Sequence, residues 1–330
     1  MRKLFNTGDE TANISNKIEF QTFYRNYGYL VSFVLLTLIA LYFNKDFLSV
    51  NSIFTLLNQT AVKGVISIGL TFAITCGMFD LSLGSQVGLI SGLSVIVYNT
   101  TQSVFIMLVF CVVLGCILGS LNGVFVSYLA IPAFIATLAT QSAYRSIILQ
   151  LGKDGPFEID RAILSQYRKV ATGKILGIPN LVLIFFIVTA IAAVVLNRTK
   201  FGRYVTAVGS NPKAAELAGI NVKLIRVVCY IITGAMAGLS AFIMTARLTS
   251  ITAANAGLKF EFDGVAAVAI GGTAMGGGRG RIIGTFFGII MFQMIETILV
   301  SAAVPPFLNG LVQGTIIIIA VLMQGKKKTA

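Results

Sequence analysis

Long apolar stretches with almost no charge inside them are the feature that most restricts this chain. They occupy 29–43, 61–76, 83–98, 104–128, 133–151, 179–196, 226–248, 262–275, 282–302 and 306–323. A helix needs about 20 mostly apolar residues to cross the hydrocarbon of a bilayer. Of the 330 residues 56% are apolar and only 11% are charged. A soluble domain carries about a quarter charged residues. So few charges cannot cover a core of this size in water, whereas in lipid no such cover is required. The expectation is an all-α protein: a polytopic transmembrane helical bundle of about ten spans, solvated by a lipid bilayer. The second, third and eighth stretches are short, and they fit tilted helices, half-helices or helices broken by glycine.

Charge placement orients the bundle. With both termini cytoplasmic, the inner side carries Arg2, Lys3, Lys17 and Arg25, then Arg198, Lys200, Arg203, Lys213, Lys223 and Arg226, then Arg279, Arg281, Lys326, Lys327 and Lys328. The outer side receives Lys45, Lys63, Lys259 and the cluster Lys153, Arg161, Arg168, Lys169 and Lys174. That cluster dissents, but the majority follows the rule that cytoplasmic loops are rich in Lys and Arg. The reading divides the chain into a cytoplasmic tail at 1–28, a membrane domain at 29–323 with a cytoplasmic loop at 197–225, and a basic cytoplasmic tail at 324–330. Residues 1–25 lack the apolar core of a signal peptide. The net charge of +13 is then an orientation signal. Nucleic acid is not an expected partner, because no basic stripe is interleaved with aromatics.

Several chemistries lack their ingredients. The chain has no histidine, the usual metal ligand and acid–base group. Cys76, Cys111, Cys116 and Cys229 lie in apolar stretches without zinc-like spacing. The glycine-rich loop 271–281 contains neither GxGxxG nor GxxxxGK[ST], and Gly173-Lys174 is followed by Ile175. No catalytic residue, metal, cofactor or ATP site is therefore expected on this chain. Glycines four apart recur at Gly84, Gly88 and Gly92; Gly115, Gly119 and Gly123; Gly234 and Gly238; Gly280, Gly284 and Gly288; and Gly310 and Gly314. Such ladders let helix backbones approach closely in lipid.

Function should lie where polarity interrupts apolar runs. Asp80, Ser82, Thr137, Gln141 and Glu296 are the candidates for a translocation pathway. Asp80 reads equally as a gate element or as a turn residue that caps the following helix. Glu296 is the deeper candidate, while Arg145 and Arg247 lie near helix ends, where they are expected to snorkel. In the loop at 197–225, Asn211 suits an N-cap, Pro212 the first helical position and Gly219 the residue past the end. These signals predict a two-turn helix; from the residues alone a solvated connector is the plainer reading of it, and a rigid knob that fits a groove on a partner the alternative.

Four segments occur in order: Gly77-Met78-Phe79-Asp80-Leu81-Ser82-Leu83-Gly84-Ser85, the run from Pro132 to Thr140, the segment 211–219 and the loop 271–281. Together they resemble the ribose-type permease family, the membrane subunits of ATP-binding-cassette importers for ribose, galactose, xylose and related solutes. The resemblance covers roughly 58–323. Met78 and Phe79 stand where the family has Gly and an aliphatic residue, and Ala139 where it has Gly. The resemblance implies a second permease copy or paralogue, a cytoplasmic ATP-binding subunit, an external solute-binding protein and a place in the cell (inner) membrane. It implies that the ATPase docks on Asn211, Pro212, Lys213, Ala214, Ala215, Glu216, Ala218 and Gly219. A pentose or hexose is the implied solute. The alternative from the residues alone is a transporter driven by an ion gradient, with Asp80 and Glu296 as ion sites.

Overall fold

The computed structural model describes residues 30–153, 155–305, 308, 310–312, 314–315 and 318. The two tails, and most of the stretch at 306–323, lie outside them. The chain forms α1 (Leu30–Phe43), α2 (Val50–Thr75), α3 (Leu83–Thr101), α4 (Val104–Ser127) and α5 (Ala133–Leu151). It continues through α6 (Leu164–Thr172), α7 (Asn180–Arg198), α8 (Lys200–Ser210) and α9 (Pro212–Leu217), then α10 (Val222–Leu248), α11 (Phe260–Ile270) and α12 (Ile282–Ser301). Among the described residues, four two-residue strands make two small antiparallel pairs. β1 (Phe157–Glu158) pairs with β4 (Ser250–Ile251), and β2 (Lys174–Ile175) with β3 (Ile178–Pro179).

Among the described residues five helices, α2, α4, α7, α10 and α12, are long and apolar enough to span a bilayer, and α1 is a shorter apolar helix. On α4 the exposed residues Phe105, Val109, Val113, Ile117, Leu121 and Val124 make one apolar stripe along the helix. In water such a stripe would be a sticky patch; in a membrane it faces lipid. The protein is a multi-pass membrane protein. By contrast, α3 buries Ser85, Gln86, Ser91 and Ser94 completely or nearly so. It packs against α4, α5, α10 and α11, so protein encloses it.

The most extensive helix pair, α4 with α10, is built by glycine. A Cβ at Gly115 would strike the Gly234 carbonyl oxygen, and one at Gly234 would strike that of Gly115. Gly119 likewise abuts the Tyr230 carbonyl, and Gly238 that of Cys111. Two of the sequence ladders therefore interlock, and only the missing side chains allow that approach.

Several elements differ from the sequence expectation, each for a physical reason. α2 begins at Val50 rather than 61, because Ser49 caps it and accepts from the Ser52 N–H at 3.2 Å. Its first turns carry Asn51, Ser52, Asn58 and Gln59, which hide a helix from an apolarity reading. As a result Lys63, assigned above to the outer surface, lies in the middle of this helix. Residues 200–210, read above as part of a cytoplasmic loop, form the amphipathic helix α8. The eighth stretch is the half-helix α11, only 11 residues long. At 1.5 Å per residue it covers about 16 Å, roughly half a bilayer core.

Turns at 252–259 bring the chain into α11. These turns pack on α3, since a Cβ at Gly84 would strike the Gly257 carbonyl and one at Gly88 would meet the Ala256 carbonyl. Irregular backbone enclosed in an apolar bundle needs partners from the protein. Arg145 supplies them, its Nη1 donating to the carbonyls of Ala253 (3.1 Å) and Ala256 (2.8 Å). Arg145 therefore does not snorkel. It points inward because two carbonyls would otherwise lack a donor.

Candidate functional site

Three helices converge on a charged cluster. Lys63 from α2 places Nζ 2.8 Å from Asp263 Oδ2 on α11 and 2.8 Å from Glu296 Oε1 on α12. The rings of Phe260 and Phe292 flank the ammonium, with centroids at 5.7 and 5.8 Å. Glu261 and Asp263 occupy the first turn of α11, where the positive end of the helix dipole favours them. The Asp263 side chain is only 5% exposed, so its charge depends on Lys63. A buried carboxylate without a partner is expensive, and one lysine here serves two.

Beside this cluster lies a cavity of about 520 Å³. Gln59, Lys63, Arg247, Gln293, Glu296 and Thr297 contribute polar groups, with Phe260, Met244 and Val300 among the apolar walls. Gln293 Nε2 donates to Gln59 Oε1 at 3.2 Å. The volume suits a small molecule, and the lining mixes donors, acceptors and one aromatic face. It reaches Leu248 and Ser301 at the ends of α10 and α12, the half of the bundle away from α9.

A second polar cluster sits at the turn between α2 and α3. Asp80 is completely buried. Its Oδ1 accepts from the Ser82 backbone N–H at 3.0 Å and the Ser82 hydroxyl at 2.6 Å. Ser82 Oγ in turn accepts from Gln86 Nε2 at 2.7 Å and Asn122 Nδ2 at 2.8 Å. The turn is fixed from α10 by Tyr230, whose hydroxyl donates to the Phe79 carbonyl at 2.9 Å.

The sequence-expected pathway residues therefore separate. Asp80 and Ser82 belong together. Gln141 donates to Glu261 Oε1 at 2.9 Å, near the start of α11. Glu296 belongs to the Lys63 cluster. Thr137 returns its hydroxyl to the Ala133 carbonyl at 2.8 Å, within its own helix. Sequence reasoning missed Lys63, Glu261, Asp263, Gln86, Asn122, Gln59 and Gln293. Asp263 three residues after Phe260 in an apolar run was a usable signal; neutral amides in glycine-rich helices give none.

At the opposite end of the bundle α9 forms where its caps foretell it. Asn211 Oδ1 accepts from the Ala214 N–H at 3.1 Å, and Pro212 opens the helix. Gly219 takes φ +80°, where a side chain would be strained. Ala215 alone of 211–219 is buried; Leu217 is 91% exposed. The glycine-rich loop is a structural joint. Gly278 N–H donates to the Thr75 carbonyl at 2.8 Å, and a Cβ on Gly277 would meet both Gly209 and Gly77. The ends of α2 and α8 and the loop leading to α12 thus touch one another directly.

Residues 52–321 match the family described as branched-chain amino acid transport system / permease component. The ribose import permease protein of Haemophilus influenzae is 34% identical over 88% of this chain and 90% of its own length. That of Bacillus subtilis is 34% identical over 94% and 96%. The galactose/methyl galactoside import permease protein of Escherichia coli is 30% identical over 94% and 97%. No solved structure matches the chain.

Proposed function

The chain belongs to the permease family that includes the ribose import permeases, and from that premise we propose that it forms half of the path for a ribose-like sugar in an ATP-driven importer. The observation that carries this reading is the polar-lined cavity at Gln59, Lys63, Gln293 and Glu296, set among apolar helices. A sugar presents hydroxyls on every side and weakly apolar ring faces. Amides and paired charges can exchange hydrogen bonds with the hydroxyls, and Phe260 can lie against a ring face. The cluster charges are already paired, so an uncharged solute passes without having to supply a counter-ion.

Energy enters at the other end. The α9 side of the bundle is cytoplasmic, with both termini on that side. A nucleotide-binding subunit docks on α9, with Leu217 as an apolar anchor and Lys213 and Glu216 beside it. The joint at Gly77, Gly209 and Gly277 carries a displacement of α8 and α9 to α2 and α12, the helices that bear Lys63 and Glu296. An external binding protein delivers the sugar, and a second permease copy or paralogue completes the pore. Each nucleotide state must favour one arrangement of the bundle over the other for coupling to exist.

The test is co-purification of the detergent-solubilised chain with candidate ATPase subunits. Leu217→Asp is the variant of choice. Ala215 is unsuitable because it is buried, so changing it would disturb α9 itself. Association in the wild type that Leu217→Asp abolishes, at unchanged helix content, supports the docking. Equal association of both forms removes α9 from it.

A further inference from the structure

At the end of the bundle that carries α9, one cavity of about 500 Å³ is lined by Ser127 at the end of α4, Lys213 and Glu216 of α9, and Lys223 and Arg226 of α10. The lining holds three cations and one carboxylate, and among the described residues none of the four forms an ion pair. Arg226 Nε and Ser127 Oγ are buried without a hydrogen-bond partner, and Ser127 as a whole is only 6% exposed. Lys223 stands in the first turn of α10, which carries no acid. Arg226 follows three residues later, so the two share one face of the helix. This is the positive end of the helix dipole, which favours anions and disfavours cations. Basic residues at a membrane surface are common in themselves. A hydroxyl and a guanidinium nitrogen buried without partners in the lining of one cavity are not, because buried polar groups ordinarily find partners. Lys223 Nζ also lies 5.6 Å from the centroid of the Tyr128 ring. Tyr128, Leu129, Phe134 and Ile135, on and beside the turn between α4 and α5, are exposed.

We propose that this cavity binds the phosphate of an anionic phospholipid, in the headgroup layer on the α9 side of the membrane. A phosphate diester brings one negative charge and several acceptor oxygens to a lining rich in donors and short of acceptors. A guanidinium matches phosphate geometry, and hydrogen bonds between charged partners are the strong ones. The Arg226 guanidinium and the Lys223 ammonium supply the charge, and the Ser127 hydroxyl a neutral donor. The N-terminus of α10 adds the field that suits an anion. The source of the phosphate follows from what surrounds the cavity. α4 and α10 are both spanning helices, and the cavity lies where one ends and the other begins, at headgroup depth. Basic pockets between helices at this depth suit lipid headgroups. The exposed Tyr128, Leu129, Phe134 and Ile135 give acyl chains an apolar surface beside the cavity, which a free phosphate would leave uncovered. The site requires nothing of the transport reading above and holds whichever protein docks on α9.

The test uses the full chain, stripped of lipid in a non-ionic detergent. Phosphatidylglycerol, phosphatidylcholine with the same acyl chains, or inorganic phosphate is added at constant ionic strength while the unfolding midpoint is followed. The expected result is a saturable rise with phosphatidylglycerol that neither of the others reproduces. Arg226→Gln should raise the half-saturating lipid concentration by about tenfold or more, the effect of losing a hydrogen bond between charged groups. Ser127→Ala changes no charge and should still raise it, by less than Arg226→Gln. Lys200→Gln, which removes a charge on the same side of the bundle outside the cavity, should leave it unchanged. Should Arg226→Gln fail to fold, Lys223→Gln and Ser127→Ala still carry the test. Equal responses to the two lipids would overturn the proposal. A response to inorganic phosphate as large as that to phosphatidylglycerol would make the ligand a soluble phosphate and overturn the lipid. A loss in Lys200→Gln equal to that in Arg226→Gln would reduce the effect to general surface charge, and overturn the site as well.

Discussion

The bundle buries acid in two different ways. Around Lys63 the protein supplies its own counter-charge: one ammonium from α2 holds Asp263 of α11 and Glu296 of α12. Around Asp80 it supplies only neutral donors from Ser82 and Asn122. The first arrangement ties three helices together, and each charge there depends on the others. The second gathers a turn and two helices around a hydroxyl, and among the described residues no cationic side chain forms an ion pair with Asp80. The paired cluster should therefore be fragile to single charge removal and the Asp80 cluster tolerant of it.

Lys63→Met should show the largest effect. It removes the ammonium that Asp263 and Glu296 share, and breaking a buried pair in this way costs about 3–5 kcal/mol. Thermal unfolding in detergent would measure it, and the triple change Lys63→Met, Asp263→Leu, Glu296→Gln should recover much of the loss. No recovery would mean that the lysine acts by packing rather than by charge.

Ser82→Ala is expected to come next, at about 1–3 kcal/mol, because it strands the buried amide donors of Gln86 and Asn122. Asp80→Asn should be milder, below about 1 kcal/mol, since the amide oxygen still accepts from Ser82 and the unbalanced charge is gone. If Asp80→Asn instead matched Lys63→Met, the contrast between the two clusters would fail. Asn211→Ala, outside both, should loosen α9 by about 1 kcal/mol through loss of its cap. Amide exchange confined to 212–218 would read that out.

Sequence reading saw one cluster and misplaced the other. Asp80 was visible because it interrupts an apolar run, and α9 was visible because Asn211, Pro212 and Gly219 are local signals. Lys63 was read as an outer-surface charge because the first turns of α2 are polar, so the helix seemed to start after them. Its pairing with residues 200 and 233 positions further on has no local signature. Gln86 and Asn122 are neutral, and α3 and α4 surround them with glycine and small residues. The half-helix α11 was foreshadowed by a short stretch, but its non-helical approach depends on Arg145 reaching across from α5. Such pairings are tertiary facts.

The most direct measurement is ribose uptake into proteoliposomes holding the chain with a candidate ATPase subunit and binding protein, with and without ATP and an ionophore. The expected result is uptake that needs ATP, survives loss of ion gradients, and is lost in Leu217→Asp while the unfolding midpoint stays at its wild-type value. Uptake by the chain without the ATPase, collapsing when the ion gradient is dissipated, would contradict it and make Asp80 and Glu296 ion-coupling sites.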